Sequence, residues 1–394
     1  MADSTPTPTQ GKMRVKQLYT YPIKSLRGIS LDSMAAMYTG FPHDRHFMLY
    51  NKAQQKNMHV SQFPEMCLFT TEFDNPQNPK NVIVTYTKDH TFDKPDQKLS
   101  TPATLTVPLT PDTARQQLQE VHITMHSSPC VGYDMGETFD RWFSERFGYE
   151  VQLLYIGNSR RKVLGNVPPS IALKQTQPSS TDRVLSSSSS SSSSSWWGIT
   201  AKASSLIGAV VGSSNNRSGD DTQTESAADV SGIDEGISFA DVAPYLIIST
   251  KSWENVQRRV PESEVVDISK FRPNIVVEGA ENEWDEDYWA ELRVSDSVKF
   301  VLTQNCARCN SLNVDYSTGK VGQGEAGKIL KKLQSDRRVD LGAKWSPVFG
   351  RYGFLARVPE EGKNAVEIKV GDEVEVLKRN AERTRFEWPG LSTN

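Results

Sequence analysis

The residues EIKVGDEVEV, from Glu367 to Val376, alternate charged and apolar side chains on both sides of a Gly-Asp pair. Alternation with a period of two is typical of strands that bury one face and expose the other to water. A Gly-Asp pair between two such runs is typical of a tight turn. The stretch therefore resembles the end of a small β-barrel.

Short apolar runs divided by turn residues recur through the rest of the chain. Their length, their β-branched content and the flanking Pro, Gly, Asn and Asp residues predict strands. Aromatic residues at helical spacing predict a helix over 137–147, and helices are also predicted over 252–259 and 325–333. The pattern predicts a β-rich α+β fold, with strands at 15–21, 46–50, 67–73, 82–86, 103–107, 121–125, 244–249, 274–277, 290–294 and 298–302.

The composition excludes several classes of protein. The chain has 394 residues and a formal net charge of −3, which gives no electrostatic case for nucleic acid as a partner. Four cysteines are too few for a disulfide scaffold, and the sequence shows no signal peptide and no run of about 18 apolar residues. We expect an intracellular protein without a transmembrane helix.

The composition changes sharply between Asn158 and Gly236. This segment contains an unbroken serine run from Ser186 to Ser195 and cannot bury enough apolar surface to offset the entropy of ordering, so we predict disorder. Trp196 and Trp197 begin an apolar island within it. That island is either a linker patch or short partner motif, or a peripheral membrane contact with tryptophans at headgroup depth.

Two cysteines, Cys306 and Cys309, follow the apolar run at 298–302 and have Arg308 between them. A positive charge beside a thiol favours the thiolate, which is the nucleophilic and metal-binding form. A structural zinc site would be short of nearby ligands, because there is no second Cys-x-x-Cys and no histidine after His126. Four interpretations stay open: a redox dithiol, structural zinc, a soft metal held by one thiolate, and two core cysteines.

Basic residues stand at the ends of several predicted strands. Lys24 and Ser25 follow one strand, Arg45 precedes the next apolar run, and Arg272 lies at a strand entrance. Each alone is more typical of a surface charge or a local ion pair. Together with Arg308 they would form an anion site suited to a phosphate, although the sequence does not show that they converge.

Two charged stretches near the C-terminal end are predicted to be solvated. One is an acidic loop around Trp284 and Trp289, in which we expect the tryptophans to pack inward and the carboxylates to face water. The other is a basic end of the chain. The charged residues of the two stretches are Glu281, Glu283, Asp285, Glu286 and Asp287, and Lys378, Arg379, Arg383 and Arg385.

Six short motifs occur in an order that resembles the MOSC-domain family, and in particular its amidoxime-reducing branch. The resemblance runs from about Met13 to Val376 and is interrupted by the serine-rich segment. The ordered set is specific, although each motif alone is weak. The motifs are Tyr21-Pro22-Ile23-Lys24-Ser25, Asp44-Arg45, Phe271-Arg272-Pro273-Asn274, Cys306-Ala307-Arg308-Cys309, Ser346-Pro347-Val348-Phe349-Gly350 with Tyr352, and Val370-Gly371-Asp372 with Val374.

The resemblance implies a MOSC β-barrel and an accessory N-terminal β domain, whose first strands contribute to the cofactor pocket and complete the barrel. We therefore expect a disordered tail at 1–12, the N-terminal domain at 13–157, a disordered serine-rich insertion at 158–236, the MOSC domain at 237–378 and a tail at 379–394.

The resemblance also implies a molybdenum pterin cofactor (Moco), with Cys309 as metal ligand and catalytic residue, Arg308 as its electrostatic support and Cys306 as a structural neighbour. Three positions depart from the family pattern and remove hydroxyls that could bind the pterin: Val242, Ala243 and Ala307. The implied cofactor contacts are Lys24, Ser25, Arg45, Arg272, Asn274, Arg308 and Tyr352.

The implied activity is molybdenum-dependent reduction of N-hydroxylated substrates such as amidoximes and hydroxylamines. Electrons would come from an NADH-dependent reductase through a small haem b cytochrome, in the cytoplasm or at the mitochondrial outer membrane. One alternative is a non-redox module that carries the cofactor or transfers sulfur. Another is a membrane-tethered adaptor that has lost the cofactor, suggested by Val242-Ala243 and by the Trp196-Trp197 island.

Overall fold

The computed structural model describes residues 12–165, 236–356 and 365–393. Most of the predicted serine-rich insertion, including Trp196 and Trp197, lies outside the described residues. No helix within the described ranges is long and apolar enough to cross a membrane.

Strands dominate the described chain, so the predicted β-rich α+β fold is confirmed. The strands before residue 166 are β1 (Arg14–Thr20), β2 (Ile29–Leu31), β3 (Ser33–Met37), β4 (Phe47–Asn51), β5 (Lys56–Asn57), β6 (Phe69–Phe73), β7 (Asn81–Tyr86), β8 (Thr104–Pro108), β9 (Glu120–Met125), β10 (Ser128–Asp134) and β11 (Val151–Tyr155). The strands after residue 235 are β12 (Tyr245–Ser249), β13 (Ile275–Glu278), β14 (Trp289–Val294), β15 (Val298–Ala307), β16 (Val314–Asp315), β17 (Lys320–Val321), β18 (Val348–Leu355), β19 (Ala365–Lys369) and β20 (Val374–Arg379).

Helices are short and few in the described ranges. The α-helices are α1 (Glu137–Phe147), α2 (Thr250–Gln257) and α3 (Ile329–Gln334). Single 3₁₀ turns lie at Pro64–Leu68, Ile268–Phe271, Asp285–Tyr288, Asn310–Asn313 and Glu325–Lys328.

The largest sheet has the strand order β2-β1-β13-β12-β18-β15-β14-β20 and nearly closes into a barrel. Its two ends meet at the Gly-Asp turn, because Val15 N donates to Asp372 O and Gly371 N donates to Val15 O, both over 2.8 Å. Gly371 has a φ of 93°, which glycine adopts without the strain that a side chain would add. Strand β1 lies between β2 and β13, so N-terminal strands form part of the barrel sheet.

A second body of strands packs around helix α1. The sheets β5-β4-β11-β10-β9 and β6-β7-β8 share a core with the aromatic face of this helix. Phe69 of β6 stacks on Phe147 with ring centroids 5.0 Å apart, and Trp142 and Phe143 are also buried there. Helix α1 begins and ends at the predicted residues, because aromatic spacing marks a buried helical face clearly.

The first eight residues assigned to the disordered insertion, 158–165, belong to the described fold. Arg161 is fully buried, and its backbone forms a two-way pair with Ile237. Its guanidinium donates to Met125 O and Asp241 O, each over 2.8 Å. The sequence predicts disorder at Arg161, because the carbonyl groups that accept from it lie 36 or more residues away along the chain and give no local pattern.

The predicted solvated tail is only partly correct: Lys378, Arg379 and Arg385 are exposed, but the aromatic side chains after them are buried. Phe386 and Trp388 are 5% and 1% exposed, and they share a core cluster with Val242. Trp388 Nε1 donates to His126 O over 2.6 Å. The segment after β20 is therefore a packed part of the molecule, because its two aromatic side chains find an apolar surface.

The acidic loop around Trp289 is only partly as predicted. Trp289 is buried, but Glu286 and Asp287 are buried too. Both carboxylate oxygens of Asp287 accept from Arg337 at 2.8 Å, and Arg383 donates to the same carboxylate. Buried charges of this kind need partners, and these partners lie 50 and 96 residues away along the chain.

Candidate functional site

Two of the predicted anion-binding arginines converge on one aromatic ring. Tyr21 is fully buried, and its ring centroid lies 4.6 Å from Cζ of Arg45 and 4.3 Å from Cζ of Arg272. The Tyr21 hydroxyl donates to Pro273 O over 3.0 Å, which fixes the ring. The ring therefore holds two guanidinium groups near each other that would otherwise repel.

Hydrogen bonds fix Arg45 in this cluster. Its Nη1 donates to the Asp44 carboxylate and, over 3.2 Å, to Asn274 Oδ1, while its Nη2 donates to Arg272 O over 3.2 Å. The same Asn274 oxygen accepts from Leu246 N at 3.1 Å. The amide thus ties the arginine to the neighbouring strands β12 and β13.

Three of the predicted cofactor residues have left-handed backbones. The φ values are 68° for Ser25, 54° for Arg45 and 54° for Arg272. Such conformations cost about 1 kcal/mol or more for residues with a Cβ and persist where the surroundings impose them. Ser25 is 6% exposed and directly follows Lys24, so it lies at the edge of the same cluster.

Lys24 joins the cluster through a carboxylate that the sequence did not single out. Its ammonium group donates to Phe239 O over 3.0 Å and to the Asp241 carboxylate. Burial lowers the pKa of Lys24, and the contact with Asp241 opposes that change. Desolvation favours protonated Asp241, but Lys24 and His126 outweigh it and hold the pKa of this carboxyl well below its usual value.

Arg308 interacts with the first cysteine of the motif. Its Nη1 donates to Cys306 Sγ over 3.0 Å, and its Nη2 donates to Phe271 O over 2.7 Å. The Cys306 thiol is 3% exposed and donates to the Tyr352 hydroxyl over 3.1 Å. Burial raises the pKa of Cys306, and Arg308 opposes the rise. Burial lowers the pKa of Arg308, but Cys306 and, to a smaller extent, Cys309 raise it, so this arginine interacts electrostatically with both cysteines while it donates to the first.

Cys309 lies in a different environment from Cys306. It is exposed, its backbone is extended, and its Sγ lies 3.3 Å from Ser311 Oγ. Both cysteines are free thiols. Within the described ranges, no group of three or more His, Cys, Asp or Glu side chains is arranged to hold a metal, so those residues supply no structural-zinc cage.

The structure brings most of the predicted site residues together. Arg45 and Arg308 donate to the adjacent carbonyls of Arg272 and Phe271, which links the arginine cluster to the cysteine motif. Asp241, the partner of Lys24, raises the pKa of both Arg45 and Tyr352. Lys24 therefore lies in the same region as these two residues. Of the predicted residues, Cys309 is the exposed one: the buried or half-buried members are Lys24, Ser25, Arg45, Arg272, Asn274, Arg308 and Tyr352.

Two buried donors of this cluster have no hydrogen-bond partner: Arg272 Nη2 and Arg308 Nε. A buried, unpaired N–H is costly, and an anionic group that accepts from it removes the cost. The donor set, two guanidinium groups beside an exposed thiol, therefore fits an anionic pterin cofactor with a soft metal.

Sequence reasoning missed Tyr21, Asp44 and Asp241 as organising residues. Tyr21 and Asp44 belong to motifs that were recognised, so their neighbours gave a signal. Asp241 gave none, because its partners Lys24 and His126 lie 217 and 115 residues away.

Family comparisons agree with this geometry. Residues 12–150 match the model of the MOSC N-terminal beta barrel domain, and residues 234–375 match the model of the MOSC domain. The chain is a MOSC-domain protein. The resemblance seen in the ordered motifs is thus confirmed, and the two matched ranges contain all the predicted site residues.

Two kinds of curated relative are similar to this MOSC protein. Human mitochondrial amidoxime-reducing component 1 is 34% identical over 154 residues, which is 38% of this chain and 42% of the relative. Bovine mitochondrial amidoxime reducing component 2 is 33% identical over 143 residues, 35% and 38% of the two chains. Human molybdenum cofactor sulfurase is 22% identical over 403 residues, 97% of this chain and 35% of the sulfurase. The matched region spans less than half the length of each relative. The MOSC-domain match and the similarity to the molybdenum cofactor sulfurase support a function related to that cofactor.

Proposed function

We propose that this protein binds a molybdenum pterin cofactor and uses it to reduce N-hydroxylated substrates such as amidoximes and hydroxylamines. The observation that carries the proposal is the exposed Cys309 thiol beside a buried cluster of cations, two of which have unpaired donors. A soft thiolate suits molybdenum, and arginine forks suit a phosphate. The similarity to amidoxime-reducing components supports the substrate class.

In this proposal each site residue has a separate task. Cys309 holds the metal, and the cofactor, when bound, supplies the two-electron chemistry. Arg272 and Arg308 bind anionic oxygens through their unpaired N–H groups, and Lys24 adds a positive charge. The remaining proposed contacts, which orient the pterin, are Ser25, Arg45, Asn274 and Tyr352.

Reduction of an N–OH group to N–H takes up two electrons and two protons and releases water. His126 Nε2 lies 3.2 Å from Asp241 Oδ1 at the edge of the cluster. Tyr352 keeps its own proton, because burial and the neighbouring Cys306 raise its pKa well above the usual value. Its hydroxyl is therefore a hydrogen-bond donor in the site and not the source of the two protons.

The proposal includes the electron donors and the place of action implied by the family resemblance. Electrons pass from an NADH-dependent reductase to a small haem b cytochrome and then to this protein, in the cytoplasm or at the mitochondrial outer membrane. The mitochondrial names of the relatives support the second location. The domain division at 13–157 and 237–378 belongs to the same proposal.

A carrier or sulfur-transfer role is the second candidate. It is favoured by one observation: the match to human molybdenum cofactor sulfurase extends over 97% of this chain, although at 22% identity. A carrier would bind the cofactor and release it to another protein without turning over an N-hydroxylated substrate.

Turnover of benzamidoxime separates the two functions. The full chain, purified from a host that makes the cofactor, is supplied with reduced methyl viologen, and benzamidine is quantified. We expect multiple turnovers for the wild type and none for Cys309→Ser. A wild-type protein that contains the cofactor and forms no benzamidine contradicts the reductase and supports the carrier.

A further inference from the structure

The loop from Arg338 to Pro347 is closed at its base by strong contacts. Val348 N donates to Arg337 O over 2.8 Å, and Arg337 Nε donates back to Val348 O over 3.2 Å. The Arg337 guanidinium also forms a buried ion pair with Asp287. The loop is therefore an Ω-type excursion with a fixed base.

The tip of this loop is pinned as well. Asp340 Oδ1 accepts from Gly342 N at 2.8 Å and from Phe386 N at 2.9 Å, and Gly342 O accepts from Thr393 N at 2.8 Å. Gly342 packs so closely on this segment that a Cβ at that position would lie 1.9 Å from Phe386 O. The loop thus has one defined conformation.

This fixed loop presents two large apolar side chains to water. Leu341 and Trp345 are each 70% exposed. Single exposed hydrophobic residues are common, but a Trp and a Leu both exposed on one fixed loop are more typical of binding surfaces, where tryptophan is enriched among the residues that dominate affinity.

Positive charges lie on the same loop and on the helix next to it. Gln334 Nε2 donates to Trp345 O over 3.3 Å, which brings the end of helix α3 and its Lys331 to the loop. Lys331, Arg338 and Lys344 are exposed, and none of them forms an ion pair with another residue in the described part of the chain. We call these three residues with Leu341 and Trp345 the loop patch.

Two acidic side chains near the loop patch are paired: Glu325 with Lys328 and Lys332, and Asp336 with Arg259. A third, Glu382, is exposed and lines the same surface depression as Leu341, beside Arg383 and Arg385. The three exposed cations of the loop patch outnumber this carboxylate, so the patch is positive in a chain whose formal net charge is −3. Its chemistry fits an acidic partner that also offers an apolar contact.

The loop patch adjoins the cysteine motif. Arg308 N donates to Pro347 O over 2.8 Å, and Ala307 pairs with Val348 in the barrel sheet. Trp345 is two residues from Pro347, and Cys309 follows Arg308 directly. A partner bound at the loop patch would therefore lie beside the exposed thiol.

We propose that the loop patch is the docking surface for an acidic electron-carrier protein. This inference rests on the proposed reductase function, which needs electrons delivered to the cofactor that Cys309 would hold. The three cations steer the encounter and the two apolar side chains form the centre of a small, transient interface. The position beside Cys309 favours an electron carrier over a lipid surface or a second copy of this chain, neither of which needs that position.

The test measures binding of the soluble haem domain of a cytochrome b5 to the full-length protein by calorimetry at two salt concentrations. The variants are Lys331→Glu/Lys344→Glu and Trp345→Ala. The matched control, Lys80→Glu/Lys98→Glu, makes the same charge change on exposed lysines of the N-terminal strand region. Circular dichroism and thermal unfolding establish that each variant is folded.

We expect each patch variant to weaken Kd about tenfold or more, and the control less than about twofold. Wild-type affinity should fall as salt rises. Turnover driven by the cytochrome should fall in parallel for the patch variants, while turnover driven by reduced methyl viologen should equal that of the wild type.

Equal Kd values for patch variants and wild type, or an equal loss in the control, overturn the inference. So does a patch that binds phosphatidylserine vesicles, or mediates self-association, while cytochrome binding is unaffected by the substitutions. Failure of the reductase itself is a separate result: it is the absence of viologen-driven turnover in the wild type, whereas the binding comparison tests the loop patch directly.

Discussion

Arg308 donates a hydrogen bond to Cys306 Sγ over 3.0 Å, although Cys309 is its immediate neighbour in the sequence. The contact divides the roles of the two cysteines. Cys306 is buried and holds Arg308 in place, which leaves Nε of the same guanidinium without a partner. Cys309 stays exposed and has its thiol near a hydroxyl instead. The arginine thus serves the cluster of cations, and the second cysteine is left accessible for a metal.

Replacement of Cys306 tests this division. Cys306→Ala leaves the buried Arg308 Nη1 without that acceptor and should lower the free energy of unfolding by about 1–3 kcal/mol. Cys306→Ser keeps an acceptor at the same position and should cost less. Urea unfolding of both variants measures the difference. Equal losses for Ala and Ser would show that the Arg308 contact does not contribute.

Glu286 should make stability depend on pH. Burial raises its pKa to about 7 from the ordinary value of 4.5, so the folded protein binds this proton more tightly than the unfolded chain. The stability contribution is full below pH 4.5 and is lost as pH rises through 7. The loss is on the order of 3 kcal/mol by the conversion of a pKa difference into free energy.

The variant Glu286→Gln keeps the shape of the protonated carboxyl and its acceptor for Ser249 and Ser252. It should melt at a higher temperature than the wild type at pH 8 and close to it at pH 4.5. Calorimetry at the two pH values makes the comparison. A variant that is less stable than the wild type at pH 8 would contradict a protonated, buried Glu286.

Trp388 tests whether the C-terminal segment is structural. It is 1% exposed, and its indole donates to the backbone carbonyl of His126. The side chain of the same histidine contacts Asp241. Trp388→Ala should cost about 3–5 kcal/mol of unfolding free energy. Leu391→Ala is the control, because Leu391 is 41% exposed. Similar urea midpoints for the two variants would restore the idea of a solvated tail.

Arg272 tests the anion site. Arg272→Lys keeps a positive charge but removes the fork that stacks on Tyr21 and donates to Leu26 O. We expect cofactor retention to weaken about tenfold, as for loss of a charged hydrogen bond. Pterin fluorescence after oxidation measures it. Arg293→Lys, at an exposed pair with Glu375, should retain wild-type pterin content. Equal loss in both variants would remove Arg272 from the site.

Much of the fold could be predicted because its signals are local. The aromatic spacing of helix α1 and the alternation on both sides of Gly371 depend on neighbours a few residues away. The burial of Glu286 and the packing of Trp388 could not be predicted, since each depends on partners that only the tertiary structure brings together. Burial of a carboxylate or of a terminal aromatic is a property of the tertiary structure.

The candidate site shows the same limit. Lys24, Arg45 and Arg272 could be proposed from their positions at strand ends, but the convergence of the two arginines on Tyr21 depends on β1 entering the barrel sheet beside β13. The hydrogen bond from Arg308 to Cys306 could not be predicted from sequence adjacency, because it depends on strand β15 continuing to Ala307 and burying Cys306.

We propose that Cys309 holds molybdenum and that Cys306 does not. Elemental analysis of molybdenum per protein, with pterin measured on the same samples, distinguishes the two cysteines in wild type, Cys309→Ser and Cys306→Ser. We expect stoichiometric metal in the wild type, metal close to the wild-type level in Cys306→Ser and almost none in Cys309→Ser. Equal molybdenum content in the wild type and Cys309→Ser would contradict it.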